Sequence, residues 1–395
     1  MVKVAHIITR LDFGGAQANT LYTVSALDPE RFEAFLIAGP GGMLEGKAAP
    51  GRLLRAGRLV REISPLKDLA AFFELRSLLR RLAPPIVHTH SSKAGILGRL
   101  AAAAAGVPVL VHTFHGFGFH ARQNFLKRRL FILLEKICAP FTDALVFVSK
   151  ANMETARAAG IGSPAKYRLI RSGVRLAGYP AAAGRAATRA GLGVDAGDVL
   201  VLSIGNAKPQ KNPWHFLEAA AALSAGHPAA RFVFAGGGEE LEKLRAAARD
   251  RGLEKTCVFT GWREDSAELL AAADIFVLTS LWEGLPRSLV EAFKTGLPAV
   301  CYRTDGVADI LKDGVNGLSP EPGDLPAFCA ALSGLLSDPG LRARLAAGAA
   351  ATDLHEFDID FMVRRQEELY EGLLSAKGLA AGAEKAVRPQ KGVNA

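Results

Sequence analysis

The sequence of 395 residues contains only four cysteines, and they lie far apart in the chain. Cys138, Cys257, Cys301 and Cys329 form no CxxC pair, whereas structural zinc sites and small disulfide-bonded domains depend on closely spaced cysteines. The sequence therefore indicates neither a zinc cluster nor a disulfide framework, and it favours a reducing compartment.

The sequence also lacks the pattern of a membrane span. Its longest stretch without a formal charge, residues 100–121, includes one proline, three glycines and three histidines, which the hydrocarbon core of a bilayer tolerates poorly. The first nine residues form a short β-rich run that Arg10 and Asp12 interrupt, which is not typical of a secretory signal. We expect a protein that works in the cytoplasm.

Two common nucleotide-binding motifs are absent as well. Neither the GxGxxG fingerprint of dinucleotide-binding domains nor the GxxxxGK[ST] phosphate loop occurs in the sequence. The sequence therefore does not support a dinucleotide-dependent oxidoreductase or a P-loop enzyme.

Charge is distributed unevenly along the chain. The whole sequence has 48 Lys and Arg against 39 Asp and Glu, for a net charge of +9. Residues 1–175 carry 25 basic and 11 acidic residues, so the remainder is mildly acidic. A basic half indicates an anionic partner such as a membrane surface, a lipid phosphate or nucleic acid. An arginine-rich composition without such a partner is the alternative.

Strand-like and helix-like segments alternate through most of the sequence, with one interruption. Such alternation predicts βαβ units and parallel sheets, here in two doubly wound α/β domains. The predicted units are an N-terminal domain over 1–175, a linker over 176–198, a C-terminal domain over 199–356, a closing helix over 357–375 and a mobile tail over 376–395. Because ligands bind at the carboxyl ends of parallel strands, the cleft between the domains is the predicted site.

Glycines follow three of the predicted strands, directly before a helix. Gly14 and Gly15 follow the first strand, and residues 236–238 are three consecutive glycines. The loop that begins at Gly205 carries two lysines. Glycines allow a ligand to approach the backbone, and the N–H groups at a helix start attract anions. With the two lysines, these loops suit a diphosphate, although each alone is also typical of an ordinary βα turn.

The most specific segment is Ser280–Ala292, which follows a predicted strand and continues into a helix. Glu283 lies in the turn, before Gly284 and Leu285, and Glu291 lies about two helical turns later. A carboxylate in such a loop can accept hydrogen bonds from sugar hydroxyls, and Glu291 could accept both hydroxyls of a ribose.

Histidines occur at two neighbouring predicted strand ends. His88 and His90 belong to one strand, and His112 and His115 lie at the end of the next. No carboxylate accompanies them, which argues against a metal site. A neutral histidine that acts as a donor or base near a phosphate or hydroxyl is favoured.

A basic amphipathic helix is predicted over residues 124–138. Two apolar residues and three cations stand together at its start: Phe125, Leu126, Lys127, Arg128 and Arg129. Apolar groups beside cations are typical of an interfacial membrane anchor. A surface helix of a protein without membrane contact is the alternative.

Taken in order, these motifs resemble glycosyltransferase family 4, the retaining enzymes of GT-B fold that use nucleotide-sugar donors. The matching pieces span roughly residues 4–320, and the Glu283-x7-Glu291 element with Gly-Leu-Pro is the specific one. The histidine-containing block over 88–116 looks most like bacterial enzymes that build capsule, exopolysaccharide or lipopolysaccharide. The resemblance implies two Rossmann-like domains that face each other across a cleft.

The resemblance also implies roles at the reacting centre. Glu283, with the backbone of Gly284 and Leu285, would hold the transferred sugar. Lys211 would neutralise the diphosphate leaving group. His115 matches a histidine near the reacting carbon, where it would contact the sugar and steady developing charge.

Further residues would complete the donor site. Gly15 of the facing domain would help to bind the diphosphate, Glu291 would bind the ribose, and Trp262 and Arg263 lie where the base is usually held. The remaining donor-site residues are Gly205, Asn206, Lys208 and Gly237. Asn206 departs from the family, in which many members carry arginine at this position, and Lys208 is the expected substitute for that charge.

The implied reaction is transfer of a hexosyl or N-acetylhexosaminyl group from a nucleotide sugar, expected to be a UDP-sugar, with retention of configuration. The expected acceptor is lipid-linked or a glycan at the inner membrane face, where Lys127, Arg128 and Arg129 would contact anionic lipid. No metal and no other cofactor is expected.

Two other functions fit parts of the sequence. One is a transferase of the same fold that acts on a small water-soluble acceptor, such as a sugar phosphate or an organic acid. The other is a non-catalytic nucleic-acid-binding protein, which the pI near 9.5 suggests. Because no aromatic-plus-basic RNA motif or recognition helix is visible, we do not expect nucleic acid as a partner.

Overall fold

The computed structural model describes residues 1–119, 123–179 and 184–379. These residues form two parallel β-sheets, each covered by helices on both faces. The predicted α/β fold class with two Rossmann-like domains is therefore confirmed. The tail predicted over 376–395 lies largely outside the described residues.

The N-terminal sheet has seven strands in the order β3-β2-β1-β4-β5-β6-β7. The strands are β1 (Val2–Ile8), β2 (Phe32–Ala38), β3 (Leu53–Arg55), β4 (Ile86–His90), β5 (Val109–Phe114), β6 (Ala144–Phe147) and β7 (Tyr167–Leu169). Every strand pair in this sheet is parallel. The strand order reverses between β1 and β4, which creates a switch point at the carboxyl edge.

Helices connect these strands and cover both faces of the sheet. They are α1 (Gly15–Ala26), α2 (Pro65–Leu82), α3 (Ser92–Ala105), α4 (Phe125–Cys138) and α5 (Lys150–Ala159). Because both faces are covered, adjacent strand residues such as Val4 and Ala5 pack into separate cores on opposite sides of the sheet. This explains the nearly continuous apolar character of the strands.

The C-terminal sheet repeats the same topology with six strands in the order β10-β9-β8-β11-β12-β13. The strands are β8 (Val199–Ile204), β9 (Ala230–Ala235), β10 (Cys257–Gly261), β11 (Ile275–Leu278), β12 (Ala299–Cys301) and β13 (Gly317–Leu318). Its helices are α6 (Arg185–Gly191), α7 (Pro213–Ser224), α8 (Leu241–Asp250), α9 (Ser266–Ala272), α10 (Arg287–Lys294), α11 (Leu325–Ser337) and α12 (Pro339–Ala350). The switch point lies between β8 and β11.

Helix α6 lies within residues 176–198, the segment predicted to be a linker. It packs against α9, and both Arg185 and Arg189 form ion pairs with Asp274 beside the start of β11. These two arginines fix α6 to the C-terminal lobe. The sequence did not predict this helix, because its apolar residues show only a weak helical period.

The last helix, α13 (Ile359–Ala376), returns to the N-terminal lobe. Its residues Met362, Val363 and Tyr370 belong to the core beneath β1 and β4. Just before α13 the chain runs beside the segment that first crosses between the lobes. The Val174 N–H donates to the Phe357 carbonyl (2.8 Å), and the Val174 carbonyl accepts from the Ile359 N–H (2.9 Å). The lobes are therefore joined by two adjacent segments, as a hinge requires.

Candidate functional site

The carboxyl edges of the two sheets face each other, and their loops are in contact. Asn206, after β8, donates from Nδ2 to the Phe13 carbonyl of the N-terminal lobe at 3.3 Å. A Cβ placed on Gly284, after β11, would lie 1.9 Å from the carbonyl oxygen of His115. These contacts join both switch points in one cleft, and at Gly284 they leave no room for a side chain.

Lys211 and Glu283 form an ion pair inside this cleft. Lys211 ends the loop that follows β8, and Glu283 stands in the loop that follows β11. Their side chains are 15% and 6% exposed. The structure thus brings together two residues that the sequence assigned to the leaving group and to the transferred sugar.

Lys208 stands beside this ion pair. Burial, followed by the positive charge of Lys211, lowers the pKa of Lys208. Two ammonium groups so close together attract an anion more strongly than either alone. The loop between Gly205 and Lys211 is therefore a concentrated source of positive charge, with Gly205 itself packed against the Lys211 stem.

Aromatic rings from both lobes meet at the outer end of the cleft. Trp262 is 43% exposed, and its ring stacks on Phe13 at 5.1 Å between centroids. The indole also covers Gly237, where a Cβ would lie 2.3 Å from Trp262 Nε1. Arg263 turns away to Asp265, with Nε 2.7 Å from Oδ1. Trp262, rather than Arg263, therefore offers a surface for a flat ring.

Glu291 lies in α10, close to the Tyr179 hydroxyl. Burial and the negative charge of Glu291 raise the pKa of Tyr179. Leu285 places its side chain in the core of the C-terminal lobe, so that only its backbone is suited to a ligand. The carboxylate of Glu291 thus lies near a hydroxyl group, the kind of donor that was predicted for it.

Arg287 is a site residue that the sequence reasoning missed. It is the first residue of α10, and its Cδ would lie 3.0 Å from a Cβ placed on Gly15 of the other lobe. Its charge helps to lower the pKa of His115. Among the described residues Arg287 has no ion-pair partner, and its buried Nε has no hydrogen-bond partner. The feature of the sequence that could have identified Arg287 is its position directly after Gly-Leu-Pro.

The histidines form a buried network in the N-terminal lobe. One ring nitrogen from each of His6, His88 and His90 lies within 4.8 Å of the others. Five of their six ring nitrogens already have partners: His88 contacts the Tyr370 hydroxyl (2.6 Å) and Thr113 Oγ1 (2.7 Å), and His90 joins its two histidine neighbours. The geometry therefore favours a hydrogen-bonded network over a metal site. His6 was not predicted.

Helix α4 presents an apolar face to solvent. Leu126, Leu130, Leu133 and Ile137 are between 46% and 74% exposed, and their spacing of three and four residues aligns them on one side. Lys127, Arg128 and Arg129 are also exposed. Among the described residues, no helix is both long enough and apolar enough to cross a membrane.

Comparison with known proteins identifies the class to which this cleft belongs. Residues 14–173 match the glycosyl transferase 4-like domain, and residues 184–352 match glycosyl transferases group 1. Two Rossmann-like lobes with these signatures define a GT-B glycosyltransferase.

Relatives across most of the chain establish the family. The UDP-Gal:α-D-GlcNAc-diphosphoundecaprenol α-1,3-galactosyltransferase of Escherichia coli is 34% identical over 342 residues, 85% of this chain and 88% of the relative. The N,N'-diacetylbacillosaminyl-diphospho-undecaprenol α-1,3-N-acetylgalactosaminyltransferase of Campylobacter jejuni is 29% identical over 79% of this chain and 83% of the relative. The chain belongs to the family-4-like bacterial GT-B glycosyltransferases, and the predicted family is confirmed.

Solved structures agree on the fold. Anabaena HepE in complex with UDP and glucose has a TM-score of 0.80 at 21% identity, with 94% of this chain and 100% of that chain covered. Sucrose-phosphate synthase from Thermosynechococcus elongatus has a TM-score of 0.82 at 19% identity, with 95% and 100% covered. At such identities the similarity establishes the fold alone.

Proposed function

We propose that this glycosyltransferase moves a sugar from a UDP-sugar to a lipid-linked acceptor, with retention of the anomeric configuration, in the synthesis of a cell-surface glycan. The observation that carries the proposal is the placement of Lys211, Glu283 and Arg287 at the facing carboxyl edges of the two sheets. The names of the Escherichia coli and Campylobacter jejuni relatives support a lipid diphosphate acceptor.

The cations of the cleft would stabilise the leaving group. When the bond between the anomeric carbon and the diphosphate oxygen breaks, negative charge develops on the diphosphate. Lys211, Lys208 and Arg287 would meet this charge, together with the N–H groups at the start of α10. Arg287 would supply the cation that Asn206 does not provide.

The remaining groups would orient the donor. Glu283 would accept hydrogen bonds from hydroxyls of the transferred sugar, and Glu291 would accept hydrogen bonds from those of the ribose. The uracil ring would stack on Trp262. The acceptor hydroxyl would then attack the anomeric carbon from the face that the diphosphate leaves, and its proton would pass to the departing diphosphate oxygen.

No metal ion is required in this scheme. Side-chain cations take the part that a divalent metal plays in many phosphoryl-group reactions. We therefore propose that turnover is unchanged when a chelator such as EDTA is present, and that adding Mg²⁺ or Mn²⁺ does not raise it.

Helix α4 would hold the enzyme at an anionic membrane surface. Its exposed leucines and isoleucine would enter the interface, and its three adjacent cations would bind lipid phosphates. A lipid-linked diphosphate lies at such a surface. Nucleic acid is not a proposed partner, because most of the exposed apolar side chains beside the cations of α4 are aliphatic, which suits a lipid interface.

A donor and acceptor screen tests the proposal. The protein is incubated with UDP-sugars and other nucleotide sugars, together with a short-chain polyprenyl diphosphate sugar or a matched water-soluble sugar phosphate. Product mass identifies transfer, and the anomeric proton coupling in NMR identifies the configuration. Transfer from a UDP-sugar to the lipid acceptor with retention supports the proposal. Transfer only to the sugar phosphate, or inversion, would contradict it.

Binding to lipid vesicles tests separately whether α4 contacts an anionic membrane. At low salt the wild-type protein should sediment with vesicles that contain phosphatidylglycerol, and the K127E/R128E/R129E variant should remain in the supernatant. The matched control K243E/R249E/K255E changes the same amount of charge on exposed residues of the C-terminal lobe. If both variants sediment equally with the vesicles, α4 is not the membrane contact.

A further inference from the structure

Two buried histidines, His6 and His90, and the partly exposed His115 form a hydrogen-bonded chain that ends at the cleft. His6 Nδ1 lies 3.0 Å from His90 Nε2, and His90 Nδ1 lies 3.1 Å from His115 Nε2. The three rings belong to β1, β4 and the end of β5, which are neighbours in the sheet. The chain therefore connects the middle of the N-terminal sheet to the proposed sugar site.

All three rings are neutral at physiological pH. Burial lowers the pKa of His6 to about 3. Burial and the nearby charge of Arg287 lower the pKa of His115 to about 4. Burial also holds the pKa of His90 well below its usual value. Each ring therefore carries a single N–H, on either Nδ1 or Nε2.

With one N–H per ring, the two hydrogen bonds must run in the same direction. If they run from His115 to His6, the Nε2–H of His6 is a buried donor that has no partner among the described residues. If they run from His6 to His115, the donor without a partner among the described residues is instead the Nδ1–H of His115. His6 is fully buried within the N-terminal lobe, whereas His115 is partly exposed, so that a ligand or water could accept only from His115. Because buried N–H groups without any acceptor are rare in proteins, the second direction is favoured.

We propose that His6 and His90 are positioning residues that fix His115 as the tautomer protonated on Nδ1. In this form His115 Nε2 accepts from His90, and Nδ1–H is a donor of fixed orientation. His115 Nδ1 is buried and has no partner among the described residues, so it is available to a ligand.

The chemical consequence concerns the transferred sugar. The His115 carbonyl lies against Gly284, next to Glu283, and the charge of Arg287 acts on the His115 ring, so the residue lies beside the proposed sugar site. A fixed Nδ1–H would donate to a sugar hydroxyl or ring oxygen, whereas the other tautomer would present a lone pair there. This part of the inference rests on the proposed function.

NMR of the unliganded protein tests the chain without any substrate. The ¹⁵N shifts of the His115 ring nitrogens, assigned through long-range ¹H–¹⁵N couplings, distinguish a protonated nitrogen from an unprotonated one. We expect protonation on Nδ1 in the wild-type protein. In H90L we expect a shift toward the Nε2–H form that free neutral histidine prefers. Protonation of His115 on Nε2 in the wild type, or no change in H90L, would overturn the proposal.

Conservative replacement separates positioning from folding. His90→Gln keeps one donor and one acceptor on the side chain, so H90Q should retain most of the turnover that H90L loses. We expect H90L to lose about 10-fold to 100-fold in kcat, by analogy with the loss of a residue that orients a metal-bound histidine, with little change in KM. H112Q, at a buried histidine outside the chain, is the control. Equal losses in H90Q, H90L and H112Q would indicate a structural role only.

The two proposals fail in different ways. If no nucleotide sugar is used, the proposed function fails, while the His115 tautomer still reports on the chain. If transfer proceeds but the tautomer is Nε2–H, the chain proposal fails and the function stands.

Discussion

Lys211 and Glu283 neutralise each other in the cleft, although they come from loops on two different strands. A donor would divide this pair, because the diphosphate attracts the ammonium while sugar hydroxyls bind the carboxylate. Removing one partner of a buried pair leaves an uncompensated charge and typically costs about 3–5 kcal/mol. The pair therefore supports the stability of the site as well as its proposed chemistry.

Lys211→Ala should lower kcat by about 10²- to 10³-fold, the cost of losing one group that stabilises developing negative charge. Its melting temperature should also fall, because Glu283 is left unpaired. The double variant K211A/E283Q should recover the melting temperature without recovering turnover. Steady-state kinetics and calorimetry measure the two effects, and K243A, at an exposed lysine of α8, is the control. Wild-type turnover in K211A would exclude its role at the leaving group.

Arg287→Ala should reduce kcat/KM by about 10-fold or more, because a hydrogen bond to a charged group contributes about 1.5–3 kcal/mol. Arg287→Lys should recover part of the loss, since lysine retains charge without the planar guanidinium. R249A, at an exposed arginine of α8, should behave as the wild type. If R287A binds the donor and transfers the sugar as the wild type does, another residue supplies the positive charge that Asn206 lacks.

Gly284→Ala should impair closure of the lobes more than their folding. The new methyl group would collide with the His115 carbonyl, and overpacking of this kind costs about 1–3 kcal/mol. Turnover should therefore fall by about 5-fold to 150-fold, with a small change in melting temperature. Gly372→Ala, where a Cβ meets nothing within 4 Å, should leave turnover unchanged. Equal turnover in the two variants would show that the contact is not needed for activity.

Helix α4 is held by a fully buried ion pair between Arg99 of α3 and Glu135, with 2.5 Å between Arg99 Nη2 and Glu135 Oε2. Glu135→Ala should destabilise the protein by about 3–5 kcal/mol, since Arg99 would be buried without a partner. The apolar pair R99M/E135L should recover most of that loss. Urea unfolding measures both variants. A loss below about 1 kcal/mol in E135A would mean that water or another group reaches Arg99.

The sequence predicted the architecture well because both sheets are built from long apolar runs that alternate with strongly periodic helices. Helices α4 and α13 were predicted within two residues of their ends, and both begin at a capping side chain, Asn124 and Asp358. The short strands β3, β7 and β13 were missed. Each has two or three residues, too few to show a period, and their place depends on pairing with a neighbour.

The site was predicted less completely, for a physical reason. The Glu283–Glu291 segment and Lys211 carry local signals, since glycine and charge follow a strand. Tyr179, Phe13 and His6 carry none, because their roles arise only when the hinge and the switch points bring distant residues together. Arg287 was overlooked because arginine at the start of a helix is usually a solvated surface residue, and only the facing Gly15 shows that it lies in the cleft.

Calorimetric titration with UDP and UDP-sugars tests the central claim most directly, which is that the cleft between the lobes binds a nucleotide diphosphate sugar. The account predicts measurable binding to the wild type. Glu291→Ala should weaken that binding by about 10-fold or more through loss of the ribose contacts, whereas E368A, at an exposed glutamate of α13, should bind as the wild type does. Binding of equal strength in E291A, or no binding of any nucleotide sugar to the wild type, would contradict it.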